Sequence, residues 1–364
     1  MFAIIISAAE GGIRKHFFDL CDDVSHVKTH CNLIVFPKNQ TDHIFEDRKK
    51  DWANWKGLDI TKNITISDFI NFFKVIYFIY KFDIRLVHAH GAKAGIYSRM
   101  AKLIIWNLSI IYSPHGGSFH KANQGRMGFL ITALEKTFAK LTNKFVFESL
   151  FAKTNFQRQI SVDEDKITCI RNKVSFNKSI PINYKIANEL KSNRSSGNTI
   201  ITIVGRVRRI KGHDVLAKAL EYLNEKTIVY FVGKSDSDFV AEESLLFKNS
   251  KIIFWGDESD VNSFYRYSDL VVCPSRAESF GYVPLEAVLA GAKVVVSDIP
   301  AFQETLTGLP NVYFFKCAEP PDLVRAIELA LKYKCIDVSD NLKRSIMSDS
   351  FGKDFNQLYS NYLR

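Results

Sequence analysis

The chain has no apolar run near the roughly 18 residues of a membrane-spanning helix, so none is expected in its 364 residues. Its opening, Met1-Phe2-Ala3-Ile4-Ile5-Ile6-Ser7, lacks the charged start and long apolar stretch of an export signal and reads as a strand. The six cysteines (Cys21, Cys31, Cys169, Cys273, Cys317 and Cys335) have no metal-binding spacing and read as reduced thiols of a cytoplasmic protein. Zinc-finger spacing and the aromatic–glycine signature of RNA binders are missing, which ranks nucleic acid last among partners. There is no G-x-S-x-G elbow, so a Ser-His-Asp hydrolase is set aside.

What is present is an ordinary globular composition, 46% apolar and 24% charged, long enough for two cores. The net charge of +10 is lopsided. Residues 1–180 carry 26 Lys+Arg against 16 Asp+Glu, while residues 181–364 carry 23 of each. An anionic membrane face or polyanionic ligand is the expected target of the first half.

Strand-like and helix-like segments alternate from Phe2–Ser7 to Ile167–Ile170, which implies parallel βαβ units. A polar stretch, Ser175–Asn198, then interrupts the pattern, and alternation restarts at Thr199–Val204. The reading is two doubly wound, Rossmann-like α/β domains facing across a cleft. Residues 1–178 form the first, 179–198 a linker and 199–349 the second. Ligands are expected at the carboxyl ends of the strands. The aromatic-rich helix over Ser67–Lys81 has a thin polar stripe and is expected as a buried core helix, with an interfacial role as the alternative.

The chemistry-bearing residues sit at strand ends. Glu278-Ser279-Phe280-Gly281-Tyr282-Val283-Pro284-Leu285-Glu286 places two carboxylates seven residues apart across a turn into a helix, with Glu286 expected in its first turn. A helix start suits phosphate, whereas paired acids suit vicinal sugar hydroxyls. Gly205-Arg206, with Lys211-Gly212 beyond, offers a guanidinium and an ammonium for a diphosphate, the alternative being a solvated basic loop. Gly11-Gly12 between a strand and a helix serves either a phosphate or any tight turn. His88-Ala89-His90-Gly91 and Ser113-Pro114-His115-Gly116-Gly117-Ser118 each put a histidine at a strand end. His88 reads as structural and His115 as a group for a sugar hydroxyl. The His90/His115 pair shows no further ligand at metal spacing, so zinc is rejected.

Together these motifs, with Phe254-Trp255-Gly256, Asp260-Val261, Tyr265 and Asp269-Leu270, resemble a family 4 glycosyltransferase of the GT-B fold over nearly the whole chain. The resemblance implies that Glu286 holds the ribose, and that Glu278 with Ser279, Phe280 and Gly281 holds the donor sugar. It implies that Arg206 and Lys211 neutralise the diphosphate with help from Gly11 and Gly12. Gly205 and Trp255 would complete the donor site, and His115 would contact the sugar near the reacting carbon. It further implies a retaining, metal-independent enzyme without cofactor, and a C-terminal helix, 350–364, crossing back to the first domain. Lys234-Ser235-Asp236 stands where relatives often have another glycine, and Glu148-Ser149 receives no role.

The function expected is transfer of a hexose or N-acetylhexosamine from a nucleotide-diphosphate sugar, UDP-linked, to a lipid-linked or saccharide acceptor in surface polysaccharide synthesis. The enzyme is expected on the anionic inner membrane face through its basic first domain. Pro37–Trp55 and Phe119–Met127 are expected to select the acceptor. The alternatives are a sugar-nucleotide 2-epimerase of the same architecture and a catalytically silent membrane-docking subunit.

Overall fold

The computed structural model describes residues 1–41, 43–49, 54–61, 64–116, 126–174, 182–223, 226–249, 251–347 and 350–363. It divides into two units, Met1–Lys173 with Ser348–Arg364, and Val174–Met347.

The first unit is built on seven parallel strands: β1 Phe2–Ile6, β2 Cys31–Pro37, β3 Trp55–Leu58, β4 Leu86–His90, β5 Ser109–Ser113, β6 Lys144–Phe147 and β7 Ile167–Cys169. Their order is β3-β2-β1-β4-β5-β6-β7. Helices cover both faces, so central strands are buried on both sides and read as unbroken apolar runs such as Phe-Ala-Ile-Ile-Ile. One core packs Ile5, Val87 and Tyr112, and the other Ile4, Phe17 and Phe355. The C-terminal helix, Phe351–Ser360, belongs to this second core. Its Tyr359 ring lies 4.8 Å from that of Phe2, and its hydroxyl lies 2.6 Å from His88 Nδ1.

The second unit repeats the plan with six parallel strands: β8 Thr199–Val204, β9 Thr227–Val232, β10 Ile252–Gly256, β11 Leu270–Cys273, β12 Val294–Ser297 and β13 Val312–Phe315. Their order is β10-β9-β8-β11-β12-β13. Strand order reverses between β1 and β4 in one sheet and between β8 and β11 in the other. Each reversal opens a crevice at the strands' carboxyl ends.

Three expectations are corrected. Tyr184–Ser195 is a helix of the second unit rather than linker, because Ile186, Ala187 and Leu190 recur at helical spacing and are buried. The division falls at Lys173/Val174 and at Ser348, while residues 175–181 lie outside the described residues. The aromatic helix, Ile66–Lys81, is not a core helix: among its described side chains only Asn71, Val75 and Ile79 are buried. Within the expected acceptor loops, His43–Arg48 is helical and Trp55 begins β3, whereas 50–53 and 117–125 lie outside the described residues.

Candidate functional site

In the second unit, β8 ends at Val204 and the chain continues alongside Lys234–Asp236 through a bridge between Val207 and Ser235. Arg206 and Arg208 fall on one side of this extended segment and buried Val207 on the other. Burial, then the charge of neighbouring Arg206, holds the Arg208 guanidinium below its ordinary range. Its Nε is buried without a hydrogen-bond partner. Lys211 follows in a short 3-10 turn, and its ammonium donates to Glu278 Oε1 at 2.6 Å. The same oxygen accepts from Ser275 Oγ at 2.9 Å. The turn after β8 and the loop after β11 thus meet at the reversal of strand order.

This meeting is strapped from behind. Arg276 donates to both Asp214 oxygens at 2.7 and 2.6 Å and to the Arg209 carbonyl. Burial raises the Asp214 carboxyl, but Arg276 outweighs it and leaves the group below the usual carboxylate range. Gly212 sits between the two loops with φ +73°, and a Cβ there would come within 1.9 Å of the Pro274 carbonyl oxygen. Only glycine allows that approach.

The helix Tyr282–Leu289 starts after Gly281 at φ +100°, and no side chain caps it. An uncapped helix start turns the positive end of the helix dipole toward an anion. Glu286 lies in the second turn, not the first, because the helix begins at Tyr282. Buried Tyr265 donates its hydroxyl to Glu286 Oε2 at 3.3 Å. The Phe280 ring is buried, and its carbonyl accepts from Thr305. Trp255 packs edge-on to Phe264, with ring centroids 5.3 Å apart, and its indole N–H donates to Glu258.

In the first unit, Gly11 and Gly12 form the uncapped start of the helix Gly11–Asp23, directly after β1. Around the carboxyl ends of β4, β5, β6 and β7 the fold collects His90, His115, Glu148 and Asn172, and the helix brings His16. His16 Nδ1 lies 2.7 Å from Asn172 Oδ1, and His90 Nδ1 lies 3.0 Å from His115 Nε2. His115 Nδ1 is 4.0 Å from Glu148 Oε2. Burial, followed by neighbouring His115, lowers His16 to about 3; burial alone lowers His115 to about 4, and His90 also falls well below its ordinary value. The imidazoles are therefore neutral. His16 Nε2, His90 Nε2 and both Glu148 oxygens are buried without hydrogen-bond partners among the described residues. Such unmet polar atoms mark a place where a ligand's hydroxyls or a cation would be satisfied.

His16, His90 and His115 also present ligand atoms within 4.8 Å of one another. This corrects the argument that set zinc aside for want of a third ligand. The set is assembled from one helix and two strand ends, so sequence spacing could not reveal it. Glu148, singled out in the sequence without a role, and Arg208, not singled out, also belong to these clusters. Alternation about Val207 is the signal that could have found Arg208, whereas no local signal gives Glu148 a role.

Two family models match the chain, Glycosyltransferase Family 4 over residues 58–178 and Glycosyl transferases group 1 over residues 185–346. An uncharacterized 41.2 kDa protein in the cps region of Klebsiella pneumoniae is 24% identical over 313 residues, covering 83% of this chain and 82% of its own length. The UDP-Gal:alpha-D-GlcNAc-diphosphoundecaprenol alpha-1,3-galactosyltransferase of Escherichia coli is 26% identical over 228 residues, 60% of this chain and 58% of that enzyme. Among solved structures, Anabaena HepE in complex with UDP-glucose superposes with a TM-score of 0.76 at 17% identity, covering 100% of this chain and 99% of that one. With the two Rossmann-like sheets and the returning C-terminal helix, these matches place the chain among the family 4-like glycosyltransferases of the GT-B fold.

Proposed function

We propose that this chain is a retaining hexosyltransferase that moves a hexose or N-acetylhexosamine from a UDP-sugar to a lipid-linked saccharide of bacterial surface polysaccharide. One observation carries the reading. Lys211 and Glu278 meet at the second unit's strand-order reversal, beside Arg208 and below a helix start that no side chain caps. The Escherichia coli relative, named for a UDP-galactose donor and a diphosphoundecaprenol-linked acceptor, supports this choice of substrates.

In this reading Glu286 accepts from the ribose hydroxyls, and Glu278 with the Ser279–Gly281 backbone holds the transferred sugar. Lys211, Arg206 and Arg208 meet the negative charge that grows on the diphosphate as its bond to the anomeric carbon breaks. Loss of the Lys211–Glu278 pairing on donor entry frees the ammonium for phosphate and the carboxylate for sugar. Neutral His115 contacts the transferred sugar, and Glu148 orients it. Leaving-group stabilisation by these cations requires no metal.

The test is a donor screen by thermal shift with UDP, GDP and ADP and their sugars, followed by transfer to lipid-linked acceptors. UDP should stabilise the protein, and Glu286→Ala should abolish that shift. A stabilisation by GDP alone, or one that survives Glu286→Ala, would sink the donor assignment. Product analysis separates a new glycoside from an epimerised nucleotide sugar. Activity should persist after exhaustive dialysis against a chelator; loss of activity restored by a transition metal would transfer the histidine cluster to metal binding.

A further inference from the structure

The aromatic helix, Ile66–Lys81, has an outer surface that nothing in its own unit covers. Ile66, Phe69, Ile70, Phe73, Tyr77 and Tyr80 follow the spacing i, i+3, i+4, i+7, i+11, i+14, and so lie on one stripe about 100° wide. Ile66 is 83% exposed, Phe69 66% and Tyr80 84%. The buried residues Asn71, Val75 and Ile79 fall on the opposite side and anchor the helix to its sheet. The helix therefore presents its apolar stripe outward by construction.

The surface continues onto the neighbouring helix, Ala92–Ile104. Lys93 near its start bonds Asp68 near the start of the aromatic helix at 2.7 Å. Both helices lead back to the amino ends of parallel strands, so they run side by side in one direction. Their far ends then stand together, carrying Tyr77 and Tyr80 on one, and Leu103, Ile104 and Trp106 (85% exposed) on and after the other. Lys74 and Lys81 flank the stripe along one edge.

We infer that this face docks the chain on an anionic lipid bilayer, with the aromatic helix lying in the plane of the headgroups. Length argues against crossing, since 16 residues span about 24 Å against a hydrocarbon core of about 30 Å. No helix among the described residues is long and apolar enough to cross. Composition argues for lying on the surface. The stripe is made of phenylalanine, isoleucine and tyrosine with Lys74 and Lys81 along its edge, the make-up of a helix that lies in the interface. Charge selects the lipid, because the entire +10 excess lies in residues 1–180. A second copy of this chain would meet the same lysines and the same excess charge.

The proposal rests on the lipid-linked acceptor only for its purpose, not for its geometry. Its test needs no substrate: co-sedimentation of the full chain with vesicles of phosphatidylcholine alone or mixed with phosphatidylglycerol. Binding should require the anionic lipid and weaken with salt. Phe69→Ser with Phe73→Ser should lower partitioning at least about tenfold, and Lys74→Glu with Lys81→Glu should do the same at low salt. Both variants should keep the UDP thermal shift of the parent, which distinguishes failure here from failure of the donor assignment. Absence of binding by the parent chain, or equal binding by the Phe69/Phe73 variant, would overturn the proposal. So would a dimer in sedimentation velocity that the same substitutions dissolve, since a second copy would then cover the face.

Discussion

At the residue scale, the most informative contact is the Lys211–Glu278 pair. Each partner satisfies the other while both remain partly exposed, with side-chain accessibilities of 27% and 19%. A pair so placed adds little to stability, because solvent screens it, but it stores a cation and an acceptor at the strand-order reversal. Glu278→Gln and Lys211→Met should therefore leave thermal unfolding nearly unchanged and lower kcat/KM at least about 100-fold. A large stability loss with intact turnover would make the pair structural. The sequence already exposed these two residues, since Lys211 precedes Gly212 in the turn after one strand and Glu278 opens the glycine-bearing turn after another. Sequence could give no role to Glu148 or Asn172, which acquire one only when β6 and β7 bring them beside His115 and His16.

A pH effect belongs to the same scale. His213 is buried against the Phe231 ring, and burial lowers its pKa to about 3. The unfolded chain, with histidine near 6.5, binds the proton first, so folding stability falls as pH drops below about 6.5. Above that value the contribution is fully present. Each pH unit between about 6 and 3 removes up to about 1.4 kcal/mol for this one side chain. His213→Phe should flatten the acid limb of the midpoint-versus-pH curve in the second unit. An unchanged slope would show that other groups set it.

At the element scale, the loop after β8 and the loop after β11 behave as one piece. Asp214→Asn removes the charge that Arg276 meets with two hydrogen bonds, and should cost about 2–3 kcal/mol. It should also raise the donor KM, because Arg276 holds the Arg209–Lys211 turn through the Arg209 carbonyl. A drop in melting temperature with unchanged donor KM would mean that the turn keeps its shape alone. Strands such as Thr199–Val204 and Val294–Ser297 were legible as apolar β-branched runs between turn residues, whereas Trp-Lys-Gly-Leu of β3 carries no such run and does not read as a strand. Tyr184–Ser195 and Ile66–Lys81 misled in opposite directions. The first hides three buried residues among polar ones, and the second turns more apolar surface to solvent than to its core. Composition registers how apolar a helix is, not which side the sheet occupies.

At the scale of the whole molecule, the two units differ in continuity. The second is one unbroken segment, Val174–Met347, whereas the first is completed by a tail that arrives after it. That tail inserts Phe351, Phe355, Leu358 and Tyr359 into the core over β1 and β2. Burying four large apolar side chains contributes about 6–12 kcal/mol at roughly 1.5–3 kcal/mol each. This equals the net stability of a typical domain, about 5–15 kcal/mol. Removal of residues 351–364 should therefore unfold the first unit, exposing Phe2 and leaving His88 without the Tyr359 hydroxyl. The second unit keeps all its strands and its own cores, so its unfolding transition and UDP-dependent shift should survive. Calorimetry of the truncated chain decides the matter: one ligand-sensitive transition is expected where the full chain also shows that of the first unit. If both units melt together and UDP binding disappears, the donor site depends on the first unit for its folding.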